Sequence, residues 1–262
     1  MNRSSGVGRL LSVGACTAAI GAIGYGSYVA GAWLRYGRTR SDFGHVPLVD
    51  SVMPVAEVDE SHQTHVAAPA EVTFHAATML DLQRSPLNAA ILMMRTLPAR
   101  LRGNPVRVEA SPGLLAETLA LGWGKLAEVP GREIVMGGVT KPWEGEAKFR
   151  PLPPDQFRAF DEPGYAKIIW TLSVEPDGDE ACVFRTRTRV ATTDSLSRRM
   201  FRRYWSLLSP GILLIRLEAL RLVKAAAEEK ARTNESAGLA PVHTPDPSAA
   251  QPAEADAVPV PV

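Results

Sequence analysis

The chain is poor in the residues that metal and nucleophile chemistry require. It has two cysteines in 262 residues, Cys16 and Cys182. Cys16 falls in an apolar leader and Cys182 far along the domain, so neither a disulfide framework nor a redox compartment can be read from them. No Cys/His cluster has metal-ligand spacing, and His62 and His65, three apart on an expected strand, point to opposite faces and cannot chelate one ion. No metal and no cofactor are expected. Ser111, Ser195, Ser197, Ser206 and Ser209 lack the context of a nucleophile elbow. Gly137-Gly138 does not open a helix, which removes the phosphate-loop reading; glycine inside a strand marks a bulge or bend instead. Net charge is also missing. With 29 Lys and Arg against 28 Asp and Glu, the balance argues against a general nucleic-acid binder. The charges are nonetheless segregated: the first forty residues hold no acid and the last thirty hold no Lys or Arg.

What is present begins with an uncharged run, Leu10 to Leu34, followed at once by Arg35, Arg38 and Arg40. About 20 apolar residues suffice to cross a bilayer core. Ala30-Gly31-Ala32 would suit a signal-peptide cleavage site, but the run is longer than a signal core and its arginine flank has stop-transfer character. Cys16 would suit a lipoprotein signal, but the apolar run before it is too short. A retained single-span anchor is therefore expected, with the domain on the cytoplasmic side by the arginine distribution. Gly14, Ala18, Ala22, Gly26 and Ala30 form a small-residue ladder, a surface on which membrane helices self-associate.

Residues 36–54, with Gly37, Gly44, Pro47 and Pro54, read as a linker. A single domain is expected over 55–231, large enough for one core. It opens with a strand, Val58 to Ala67. A helix follows after Ala68-Pro69, and a second, greasy one spans Leu87 to Leu97 behind Ser85-Pro86. Strands are expected over Leu119–Glu128, Glu133–Val139, Glu146–Arg150 and Tyr165–Val174. Asp177-Gly178 is a hairpin turn leading into the strand Val183–Val190, where arginines alternate with Phe, Thr and Val. Thr193 or Asp194 then caps a long helix. Leu196, Met200, Tyr204, Leu207 and Leu208 recur along it at helical spacing, Ile212, Ile215, Ala219, Leu220 and Val223 extend the stripe, and Ser209-Pro210-Gly211 is expected to kink or divide it. A run of antiparallel strands closed by a helix indicates an α+β fold. After Arg232 the Ala/Pro-rich composition is that of a disordered tail.

This order, with Ala67-Ala68-Pro69-Ala70-Glu71-Val72 after the first strand, resembles the helix-grip fold of the START/polyketide-cyclase (SRPBCC) superfamily. Gly122-Trp123-Gly124, Pro130-Gly131-Arg132-Glu133, Thr140-Lys141-Pro142-Trp143, Phe160-Asp161-Glu162-Pro163-Gly164 and Thr188-Arg189-Val190-Ala191-Thr192-Thr193-Asp194 resemble uncharacterised members. The resemblance implies a curved antiparallel sheet gripping a long C-terminal helix. It leaves chemistry open, because the superfamily holds lipid carriers, cyclases, hydrolases and co-chaperones.

Three functions follow. The first is a membrane-anchored binder of an apolar small molecule such as a lipid, quinone or polyketide-like compound. Its expected pocket is lined by Trp123, Trp143, Phe149, Trp170 and Phe184 from the sheet, Met93 and Met94 from the greasy helix, and Met200 or Tyr204 from the long helix; the same residues would equally fill a core. Thr186 and Thr188 share Phe184's face, and inward hydroxyls suit a wet or ligand-filled interior. The second is a cyclase- or dehydratase-type enzyme, for which His62 is the candidate acid/base. The third is an interaction module in which Arg198, Arg199, Arg202 and Arg203 meet phosphate or lipid headgroups.

Overall fold

A computed structural model of the chain describes residues 23–36, 41, 44–82, 85, 113–144, 148–236 and 238. Its helices are α1 (residues 23–35), α2 (Pro47–Val52), α3 (Ala70–Thr78), α4 (Leu114–Ala120), α5 (Pro154–Ala159) and α6 (Ser195–Ser236). Its strands are β1 (Val58–Val66), β2 (Gly124–Val129), β3 (Glu133–Thr140), β4 (Ala166–Pro176) and β5 (Cys182–Thr192). The five strands form one sheet in the order β1-β5-β4-β3-β2, antiparallel at every junction. This sheet with its long C-terminal helix matches a helix-grip fold.

Period-two alternation gives the sheet two different faces. On the inner face, α3 and α6 cover Ile134, Met136, Leu172, Val174 and Phe184, with Leu220, Val223 and Ala227 of α6 in the same cluster. On the outer face, Val49, Val52 and Met53 of α2 and Phe157 of α5 cover Leu126, Val135, Val139 and Ile169. Residues 47–53, read as linker from their prolines, thus belong to the core. Pro47 sits in the first turn of α2, where a missing N–H costs nothing.

Several expectations are corrected. The segment read as a strand from Leu119 holds the end of α4, a turn and then β2. Gly122 makes that turn at φ +91°, where an added Cβ would lie 2.6 Å from the Phe149 carbonyl. The strand expected over Glu146–Arg150 reduces, among the described residues, to a bridge between Arg150 and Val139. Pro210 does not divide α6, which is a single helix of 42 residues in all. Asp194, not Thr193, caps it. The Asp194 carboxylate accepts the N–H groups of Leu196 and Ser197 and that of Gly164 across the sheet. Thr193 instead pairs with the backbone of Tyr165.

The buried stripe of α6 differs from the expected one in its first half, while Leu220 and Val223 of the expected extension are buried. Ser197, Phe201, Trp205, Ser209, Arg216, Leu220 and Val223 face inward, while Leu196, Met200, Leu207 and Leu208 are exposed. Both stripes carry large apolar residues at helical spacing, so periodicity alone could not choose between them. The aromatic pair Phe201 and Trp205, stacked at 5.5 Å, brings more area to the core.

The last part of the expected anchor is helical and docked on the domain. The Tyr25 hydroxyl donates to the Leu207 carbonyl at 2.6 Å, and Tyr28 meets the Ser209 hydroxyl at 3.2 Å. Ala32 and Tyr36 are buried with Val58, Phe201 and Trp205. Residues 10–22 lie outside the described residues, among which no helix is long and apolar enough to cross a membrane. Of the small-residue ladder, Gly26 and Ala30 are described, and both are exposed. The greasy segment Leu87–Leu97 and the tail beyond residue 238 also lie outside the described residues.

Candidate functional site

The inner face of the sheet grades from charge to grease along single rows of cross-strand partners. One row reads Glu60 on β1, Thr188 on β5, Trp170 on β4 and Met136 on β3; the next reads His62, Thr186, Leu172 and Ile134. An arginine from α6 lands on the polar end. Arg216, 7% exposed, donates from Nη1 to Glu60 Oε2 and His62 Nδ1, each at 3.2 Å, and from Nη2 to Thr188 Oγ1 at 2.9 Å. The Tyr36 hydroxyl, just past α1, donates to the other Glu60 oxygen. Arg216 of α6 and Tyr36 beyond α1 thus converge on the Glu60 carboxylate of β1, and Arg216 also ties in His62 of the same strand and Thr188 of β5.

The protonation states follow from this geometry. Burial, and then the adjacent Arg216, lower the His62 pKa against an opposing pull from Glu60, so the ring is neutral at neutral pH. Its Nδ1 faces a guanidinium donor, which places the proton on Nε2. Burial, and then Glu60, push the Tyr36 phenol above its usual range, keeping it a donor. The site therefore offers donors from arginine, phenol, hydroxyl and imidazole beside a single carboxylate. Such a set can hold a carbonyl, phenolic or carboxylate oxygen, and Glu60 with His62 supplies groups for proton transfer.

The apolar end is aromatic. Trp123 stacks on Phe149 at 4.3 Å and meets Trp170 edge-on at 6.4 Å. Trp123 and Trp170 both pack on the cluster that contains Phe184. Four of the expected lining residues are thus gathered. Trp143 and Tyr204 are not among them: they pack in a separate cluster around Phe201 and Trp205. Met200 is 38% exposed, on the outward side of α6. Met93 and Met94 lie outside the described residues. Two clefts of about 330 and 350 Å³ open elsewhere. One is lined by Arg185 and Arg187 on the outer face; the other lies between Glu57, Lys167 and Arg198.

The expected arginine cluster divides in two. Arg198 donates to the buried Glu57 at 2.8 Å. Arg202 donates to the Trp33 carbonyl and lies over the Trp33 ring at 4.4 Å. Arg199 and Arg203 are exposed. Sequence reasoning found His62 and Thr188 but missed Arg216, Glu60 and Tyr36. A signal for Arg216 existed. It is the only charge between Arg203 and Glu218, and it continues the spacing of Phe201, Trp205 and Ser209 toward Leu220 and Val223. An arginine on a core stripe demands a buried acid, and Glu60 shares the His62 face of β1.

No family model matches the chain, and no curated protein matches it. Among solved structures, norcoclaurine synthase from Thalictrum flavum, in complex with dopamine and hydroxybenzaldehyde, is similar at 15% identity over 72% of this chain and 96% of that one, with a TM-score of 0.28. The Zhui aromatase/cyclase from Streptomyces sp. R1128 is similar at 11% identity over 69% and 97%, with a TM-score of 0.24. The fold assignment rests on the strand order and register given above.

Proposed function

We propose that this domain binds an amphiphilic small molecule, of lipid, quinone or polyketide-like character, along the inner face of its sheet while held at a membrane. The observation that carries the reading is the graded row from Glu60 through Thr188 to Trp170 and Met136, with Arg216 over its polar end. A uniformly apolar interior would select only for shape. A buried arginine with phenol and hydroxyl donors selects for an oxygen head, and the Trp123, Phe149 and Trp170 rings suit an apolar body. Burying these polar groups has a cost that well-packed apolar residues would avoid, and a ligand's polar head gives them a use.

The test is mass spectrometry, under non-denaturing conditions, of the purified full chain. A retained molecule with an apolar body and an oxygen head is expected, and Arg216→Met should release it. A molecule retained equally by Arg216→Met and Trp170→Ala would sink the reading.

A second reading has its own support. His62, neutral and carrying its proton on Nε2 beside Glu60, is equipped for the proton transfers of a cyclase or dehydratase. Were the domain such an enzyme, His62→Gln would keep the bound molecule and stop its conversion.

A further inference from the structure

The outward stripe of α6 is unlike the surface of an ordinary amphipathic helix. Residues 195–217 contain five arginines and no acid. Leu196, Met200, Leu207, Leu214 and Leu217 are all exposed, and their spacing of four, seven, seven and three residues aligns them along one side. The stripe extends about 32 Å at 1.5 Å per residue. The opposite side of the same stretch is already committed to the core through Phe201, Trp205 and Arg216. A helix apolar on both sides has a second face that water does not favour. Arg199 and Arg203 are exposed among these leucines. Docked α1 also carries Ile23 and Leu34, both exposed, and it too lacks any acid.

We infer that α1 and the first half of α6 together form a face that lies in the surface of an anionic bilayer. The leucines enter the acyl boundary, and Arg199 and Arg203 meet the phosphates. Two features favour lipid as the occupant. The face is acid-free and basic, complementary to anionic headgroups. It is also joined in sequence, through α1, to the uncharged residues 10–22. Because residues 23–35 are held on α6, this helix pair, and not a free-standing leader alone, is what meets the membrane. The inference does not depend on the ligand assigned to the inner face of the sheet.

The full chain, carrying Cys16→Ser, tests it. Single cysteines at Leu207→Cys, Leu214→Cys or, as control, Asp179→Cys in the β4–β5 hairpin are labelled with an environment-sensitive fluorophore; Cys182 is buried and stays unlabelled. Each protein is reconstituted into phosphatidylcholine vesicles with and without phosphatidylglycerol. With anionic lipid, a lipid-borne quencher should act on positions 207 and 214 roughly tenfold more than on 179, as expected for groups seated below the headgroups. Arg199→Gln with Arg203→Gln should return the anionic-vesicle signal to that of phosphatidylcholine alone. A leader acting only as a tether would leave positions 207 and 214 as open to aqueous iodide as position 179, and that result overturns the inference. Protection from both quenchers, with cross-linking between Leu207→Cys copies, would assign the face to a second copy of the chain and overturn it equally. Ligand retention read on the same preparations keeps this outcome separate from that of the inner site.

Discussion

β1 and β5 carry an ion network on each side, and the two networks are built differently. On the outer face, Arg189 is fully buried and donates to Asp59 at 2.8 Å, to Asp50 at 2.6 Å and to the Met53 carbonyl at 2.9 Å. Arg187 binds both oxygens of Asp59. Asp59 and Arg189 are direct cross-strand partners, and α2 closes the network from above. The inner network draws Arg216 from the middle of α6 and Tyr36 from beyond α1, and its histidine is only half-buried. The outer set is fixed by register and closed over Arg189 by α2. The inner set is assembled from distant elements, rich in donors and set against aromatic rings. The first is suited to holding β1, β5 and α2 together, the second to exchanging partners with a bound molecule.

If that contrast is right, the largest effect belongs to the outer face. Arg189→Met would leave Asp50 and Asp59 facing a buried thioether, at a cost of about 3–5 kcal/mol, as expected when one partner of a buried pair is removed. Urea unfolding followed by circular dichroism would read it. Arg216→Met should cost less, about 1–3 kcal/mol, because Glu60 keeps the Tyr36 hydroxyl and retains some contact with water. Its larger consequence should be loss of the bound molecule from a protein that is still folded. Equal destabilisation by the two substitutions would erase the distinction and make the inner network structural as well.

Much of this was legible in the sequence. The alternation Arg185-Thr186-Arg187-Thr188-Arg189 fixed which residues share a face. The Asp177-Gly178 turn and the Asp194 start bounded β5 and α6. The polarity of the arginine face was legible; its burial was not, because residues 47–53 carry the composition of a loop and nothing local shows that Val49 and Met53 will roof Arg189. The long helix was clear in its start and in its later inward residues Leu220 and Val223, and wrong in orientation over its first half. Both of its apolar stripes obey the same period, and only the sheet decides which is covered. Arg216 escaped notice for a related reason: its partners lie 156 and 154 residues away, at Glu60 and His62, and no local pattern joins them.

A third substitution separates holding α6 in place from binding at its centre. Asp194 ties the first turn of α6 to Gly164 at the start of the β4 segment. Asp194→Ala should cost about 1–2 kcal/mol, the usual range for an N-cap, and leave ligand retention unchanged. The Ser197 hydroxyl, and then the N–H groups of Ser197, Gly164 and Leu196, hold the carboxyl well below its ordinary range. A depressed folded-state pKa contributes stability that is complete above the unfolded value, near pH 4, and is lost as pH falls through the folded one. The gap between wild type and variant should thus stay constant down to about pH 4 and narrow only below it. A variant that also lost its ligand would show that the inner site depends on the register of the whole helix.

The smallest effect is a slope, and it belongs to His62. Its folded pKa is lowered, by burial first and Arg216 second, while the unfolded chain titrates near 6.5. As pH falls below about 6.5, the unfolded state takes up a proton that the folded state refuses, so stability declines with acid. One proton limits the slope to about 1.4 kcal/mol per pH unit, and an incomplete shift gives less. His62→Gln preserves an acceptor for Arg216 and removes the titration. The difference in stability between wild type and His62→Gln should be flat above pH 7 and move in favour of the variant as pH drops below about 6.5. Every other ionisable group is present in both proteins and cancels in the difference. Parallel pH curves for the two proteins would mean that His62 is free to protonate in the fold, and the neutral imidazole assigned beside Arg216 would have to be given up.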